Sequence, residues 1–200
     1  GDMQNHHNMV GIDRMFMGAT SFNCNVTSWN TSGCLRLASV FHNAEAFNRD
    51  ISTWNVSNCV NINGLFANAY VFNQDIGGWD VSSVVNFQEM FAGAKLFNQN
   101  ISTWIVDNAT NMRKMFNNAY KEPFPWLAPF AQDLSSWNVS GVTDLYDVFH
   151  TTTLAENSDG QYATIRLNMH AGSWGSNPNW PYSWGPPSYQ MAVSYTHLTL

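Results

Sequence analysis

Two cysteines, Cys34 and Cys59, stand 25 positions apart at matching places in neighbouring copies of a repeat. In an oxidising compartment, adjacent copies could bring their Cα atoms within the roughly 7 Å that a disulfide tolerates. Such a bond would add about 3 kcal/mol. Two buried free thiols suit the sequence equally, because Val84, Ala109 and Val142 fill the same place elsewhere. Cys24 falls where Arg49, Gln74 and Gln99 occur and is expected at the surface. A second row, Asn25, Asp50, Asp75, Asn100 and Asp133, carries three carboxylates. Asp50 and Asp75 could offer oxygens to Ca²⁺. The calcium-binding glycine-aspartate repeat is missing, however, and turn-forming or capping Asx residues are the better reading.

Aromatic and amide rows follow the same spacing. Trp29, Trp54, Trp79 and Trp104 could stack on sugars, yet one Trp per copy in step with Ile and Val is expected to fill a core. Asn23, Asn48, Asn73 and Asn98 are expected to bond backbone at the entry to the next copy, since an unpaired buried amide is costly. Ala131 takes that place in the last copy. Glycosylation sequons begin at Asn25, Asn30, Asn55, Asn100, Asn108 and Asn138, most of them inside the repeat, whose geometry accounts for them without glycans.

Catalysis is harder to assemble. The six histidines (His6, His7, His42, His150, His170, His197) share no metal-ligand spacing, and no phosphate-binding glycine loop, HExxH or GxSxG occurs. The expectation is a non-enzyme with no catalytic, cofactor-binding or metal residues, no cofactor and no ligand-binding residue yet assignable. Eight Lys and Arg without a run argue against nucleic acid as a partner, and no stretch of 18 apolar residues offers a transmembrane segment. The chain is 11% charged with net charge −6, so its surface must be neutral and polar, while nine Trp and thirteen Phe argue against disorder.

The elements that position these rows come from a period of 25. Phe22, Phe47, Phe72 and Phe97 are each followed by Asn, and Phe16, Phe41, Phe66, Phe91 and Phe116 each precede an Ala by three. The clearest copy is FNRDISTWNVSNCVNINGLFANAYV, 47–71. A repeat region over 1–153 holds a partial copy at 8–21 and copies at 22–46, 47–71, 72–96 and 97–121. An insertion at 122–129, rich in Pro and aromatics, precedes a last copy at 130–153. Residues 154–190, rich in Trp, Gly and Pro, read as an irregular cap with one expected strand at 162–169, and 191–200 as a non-native tail.

Within a copy, Ile51, Trp54 and Val56 read as a short strand. Cys59, Ile62, Leu65, Phe66 and Ala69 follow at i, i+3, i+6, i+7 and i+10, the stripe of an amphipathic helix. Ser32, Ser57, Ser82, Asp107 and Ser140 stand where N-caps would. Such a unit buries a core only by stacking. The fold class expected is therefore α/β: a short, curved, right-handed solenoid of strand-helix repeats, with a parallel strand ladder on one side and helices on the other.

The segments FNQDIGGWDVSSVVNFQEMFAGA (72–94) and FNQNISTWIVDNATNMRKMFNNA (97–119) resemble a bacterial surface-protein repeat of about 26 residues. It is found in mycoplasma and Listeria lipoproteins and is related to BspA-like leucine-rich-repeat surface proteins. The likeness covers about 8–153. Thr31 departs from it by replacing Val, and the Met pair survives only as Met112 and Met115. The resemblance implies an extracellular or cell-surface location and a role in adhesion or protein-protein recognition, with another protein or a surface glycan as partner. The rivals are a carbohydrate-binding module using aromatic rows and a purely structural spacer. The chain begins partway through a copy, so the lack of a visible leader does not weigh against a surface location. Oligomeric state is not legible at this level.

Overall fold

The computed structural model describes residues 11–117, 130, 132–148 and 178. Among them the i, i+3 spacing of apolar residues resolves into chained β-turns, with no helix. In the copy 47–71, backbone bonds close Ile51–Trp54, Val56–Cys59, Ile62–Leu65, Phe66–Ala69 and Ala69–Phe72, each from the first carbonyl to the fourth amide. Every one of these end residues is buried. Each turn thus plants its first and fourth residues in the core.

Backbone handedness explains why the segment 59–69 cannot be helical. Gly64 and Asn68 have φ of 60° and 57°, in the left-handed region that breaks a right-handed helix. The same pair recurs as Ser39 and Asn43, and as Glu89 and Gly93. These are third residues of turns, where a type II turn requires positive φ. The amides freed by leaving the helix pair across copies. Ile62, Gly64, Phe66 and Asn68 donate to the carbonyls of Asn86, Gln88, Met90 and Ala92 at 2.7–3.1 Å.

The expected strand-helix solenoid, leucine-rich-repeat-like with a strand ladder and a helix layer, is therefore incorrect. The first half of the copy is no strand either, because the Ile51–Trp54 turn interrupts it. Extended pairing is reduced to one parallel bridge per copy, running Gly11, Arg36, Asn61, Asn86, Asn111, Asp144. Copies remain in register, and even the last step, which crosses the insertion, keeps it: Thr143 Oγ1 donates to the Thr110 carbonyl 33 residues back.

The core is a set of aromatic columns. Phe41 stacks on Phe47 across the boundary of consecutive copies at 3.7 Å between centroids, as Phe66 does on Phe72 at 3.8 Å and Phe91 on Phe97 at 3.9 Å. Equivalent rings one period apart are spaced at 5.9 Å for Phe41–Phe66 and 6.0 Å for Phe47–Phe72. Thr31, standing where other copies have Val, is buried and satisfied by donating to the Asn55 carbonyl at 3.0 Å.

Candidate recognition surface

The rows singled out for chemistry are mostly consumed by the fold. Trp54, Trp79, Trp104 and Trp137 are 1–4% exposed, and Trp29 is half-buried against the same core. Each indole N–H reaches back one copy: Trp54 donates to the Val26 carbonyl at 3.0 Å, and Trp79, Trp104 and Trp137 donate to Ile51, Ile76 and Ile101 at 3.1 Å. The rings of Trp54, Trp79, Trp104 and Trp137 leave no face for a sugar. Trp174, Trp180 and Trp184, in the segment expected to be an irregular cap, lie outside the described residues, as do the expected strand at 162–169 and the tail 191–200.

The Asn row behaves as read from the sequence. Asn23, Asn48 and Asn73 accept, through Oδ1, the backbone amides of Asn48, Asn73 and Asn98 at 2.9–3.1 Å. Gln74, Gln99 and Gln132 donate from Nε2 to the side-chain Oδ1 of Asn48, Asn73 and Asn98. The acidic row is a row of Asx turns. Asn25, Asp50, Asp75, Asn100 and Asp133 each accept the amide two residues on, at 2.8–3.0 Å. Hydrogen bonds from Ser52 hold the Asp50 carboxyl below its ordinary value, and those from Ser82 do the same for Asp80. Among the described residues no cluster of three or more His, Cys, Asp or Glu could hold a metal.

The expected N-caps are differently employed. Ser32, Ser57, Ser82 and Ser140 donate both amide and hydroxyl to the Oδ1 of Asn30, Asn55, Asp80 and Asn138, so their hydroxyls close Asx turns and cap no helix. That pattern also accounts for the sequons at Asn30, Asn55, Asn100 and Asn138, where Asn-x-Ser supplies an acceptor and two donors, and Asp80 serves as well as Asn. Cys34 and Cys59 are free and buried, and Cys24 is free and exposed. Cys59 Sγ donates to the Cys34 carbonyl at 3.0 Å, and burial above all pushes its thiol up to about 12. The pair is therefore inert toward thiolate chemistry at neutral pH.

Besides single exposed apolar residues such as Leu96, Ile105 and Tyr146, the surface carries a row that the spacing of the core residues hid. Leu35, Val60 and Val85, one place after Cys34, Cys59 and Val84, are 43%, 42% and 39% exposed. Thr110 and Thr143 continue the row, also exposed. Successive members are tied by backbone bonds, Val60 to Leu35 at 2.8 Å, Val85 to Val60 at 3.0 Å and Thr110 to Val85 at 2.9 Å. Their shared aliphatic or β-branched character at a 25-residue interval was a signal available in the sequence.

A family described as a mycoplasma protein of unknown function, DUF285, matches residues 2–95 and again 72–172. The chain belongs to the DUF285 family. The likeness read from the repeat is thereby sharpened to this mycoplasma repeat family, and the narrower BspA and leucine-rich-repeat attribution does not stand. No curated protein and no solved structure matches the chain. No helix among the described residues is long and apolar enough to cross a membrane.

Proposed function

We propose that this DUF285 chain is a non-catalytic recognition module, secreted or at a cell surface, serving adhesion or protein-protein contact. The observation that carries the proposal is the exposed row Leu35, Val60, Val85, Thr110 and Thr143, repeated once per copy. A scaffold that buries its aromatics and satisfies its amides internally offers little for catalysis or for stacking sugars. A register of aliphatic side chains held by backbone bonds instead presents a preorganised strip, the kind of surface that binds with little ordering cost.

An array of matrix proteins and glycans probed with wild-type chain and Val60→Asp tests this. Saturable capture by a protein, reduced at least tenfold by the substitution, is expected. Capture by glycans alone would sink the proposal in favour of the carbohydrate reading, and no saturable capture at all would favour a spacer.

A further inference from the structure

The aliphatic part of the exposed row is centred on Val60, with Leu35 one copy before and Val85 one copy after. Two polar rows lie one and three places after it in each copy. The first holds the bridge residues, Arg36 and Asp144 among them. The other begins at Asp13 and runs through Gln88 and Arg113. Their side chains meet across copies: Asp13 with Arg36 at 2.8 Å, Asn111 Nδ2 with Gln88 Oε1 at 3.2 Å, and Arg113 with Asp144 at 3.8 Å. Both rows therefore share one surface. Asp13 lies two copies before Val60 and Arg113 two copies after.

We propose that this surface pairs with the same surface of a second copy of this chain, antiparallel, about a two-fold axis through Val60. The assignment rests on the recognition reading above and names its partner. The two-fold reverses the order of copies, so Val60 meets Val60, Leu35 meets Val85, and Asp13 faces Arg113 of the other copy at both ends. An isologous contact needs this self-complementarity. A same-direction pairing fails on charge, because it sets Asp13 level with Asp13 and Arg113 level with Arg113. Arg113 has donors to spare, since its contact to Asp144 is long and its guanidinium, 4.3 Å over the Tyr146 ring, remains 39% exposed at the side chain. Three aliphatic residues make a small contact, so the association is weak and reversible.

Sedimentation velocity over a concentration series, with oxidative cross-linking, tests the assignment. Wild type is expected to form a reversible dimer. Val60→Asp is expected to weaken it at least tenfold without changing the thermal midpoint, and Arg113→Asp to weaken it by less. In a Cys24→Ser background, Val60→Cys is expected to cross-link to itself at the two-fold, whereas Thr143→Cys, far from the axis, does not. A wild type that stays monomeric, or cross-linking no faster at position 60 than at 143, overturns the assignment. If that monomer still captures a protein on the array, and Val60→Asp abolishes the capture, the recognition reading survives alone. Loss of both sinks both.

Discussion

Left-handed residues separate conformational from steric demand. Gly18 and Gly93 both have positive φ, 77° and 70°, yet a Cβ at Gly18 would meet nothing within 4 Å while one at Gly93 would run into Oδ1 of Asn68. Both Gly→Ala changes incur the left-handed penalty of about 1–2 kcal/mol. Only Gly93→Ala adds a collision with an amide held by Asn43. Chemical denaturation should therefore show Gly93→Ala less stable than Gly18→Ala by about 1–3 kcal/mol. Equal losses would deny the packing of Asn68 against Gly93. Asp50 and Asp80 give a pH test. Their folded carboxyls titrate below the ordinary value of 3.8, so their contribution is complete above about pH 4 and lost as pH falls through the depressed values. The double change Asp50→Asn, Asp80→Asn keeps both acceptors and removes both titrations. Thermal melts should show it close to wild type at pH 7 and less sensitive to acid below pH 4. An unchanged acid limb would mean that these turns do not sense pH.

At the level of the turn, legibility in the sequence divides cleanly. Burial of Trp54, Phe66 and Phe72 was readable from the period, because a core position repeats with its neighbours. Backbone path was not. A turn whose first and fourth residues face inward spaces apolar residues by three, as a helix face does, so Ile62, Leu65 and Ala69 satisfied both descriptions. Gly64 and Gly93 discriminate, since glycine in mid-helix is disfavoured, but Ser39 and Lys114 occupy the same left-handed place and conceal the rule. The serines were misread for a related reason: Ser57 is favoured both before a helix and in an Asx turn, and only its partner, Asn55, tells them apart. The exposed row stayed hidden because Val60 directly follows the core residue Cys59, and the core spacing alone was read. The Ile51–Trp54 turn is locked to the preceding copy by an indole bond, so Trp54→Phe should keep the ring column and lose the bond to Val26. A loss of about 1–2 kcal/mol in urea unfolding is expected, against about 3–5 kcal/mol for Trp54→Ala. Similar losses for both would make the indole bond, and not ring volume, the dominant contribution.

Across the whole molecule, rows built from one residue per copy divide the labour. Aromatic columns hold the copies together, Asx and Asn rows satisfy the backbone at the corners, and the Leu35–Val60–Val85 row is left exposed. This division explains a composition rich in amides and aromatics yet poor in charge. The central claim is that copies are joined by amides pairing forward across the stack, where a helix would pair them within its own turn. Scalar couplings across hydrogen bonds, measured by NMR, test it at Phe66. The predicted coupling joins the Phe66 amide nitrogen to the Met90 carbonyl, 2.9 Å away in the next copy. A coupling from Phe66 to the Ile62 carbonyl, four residues back, would restore the helix and contradict the account.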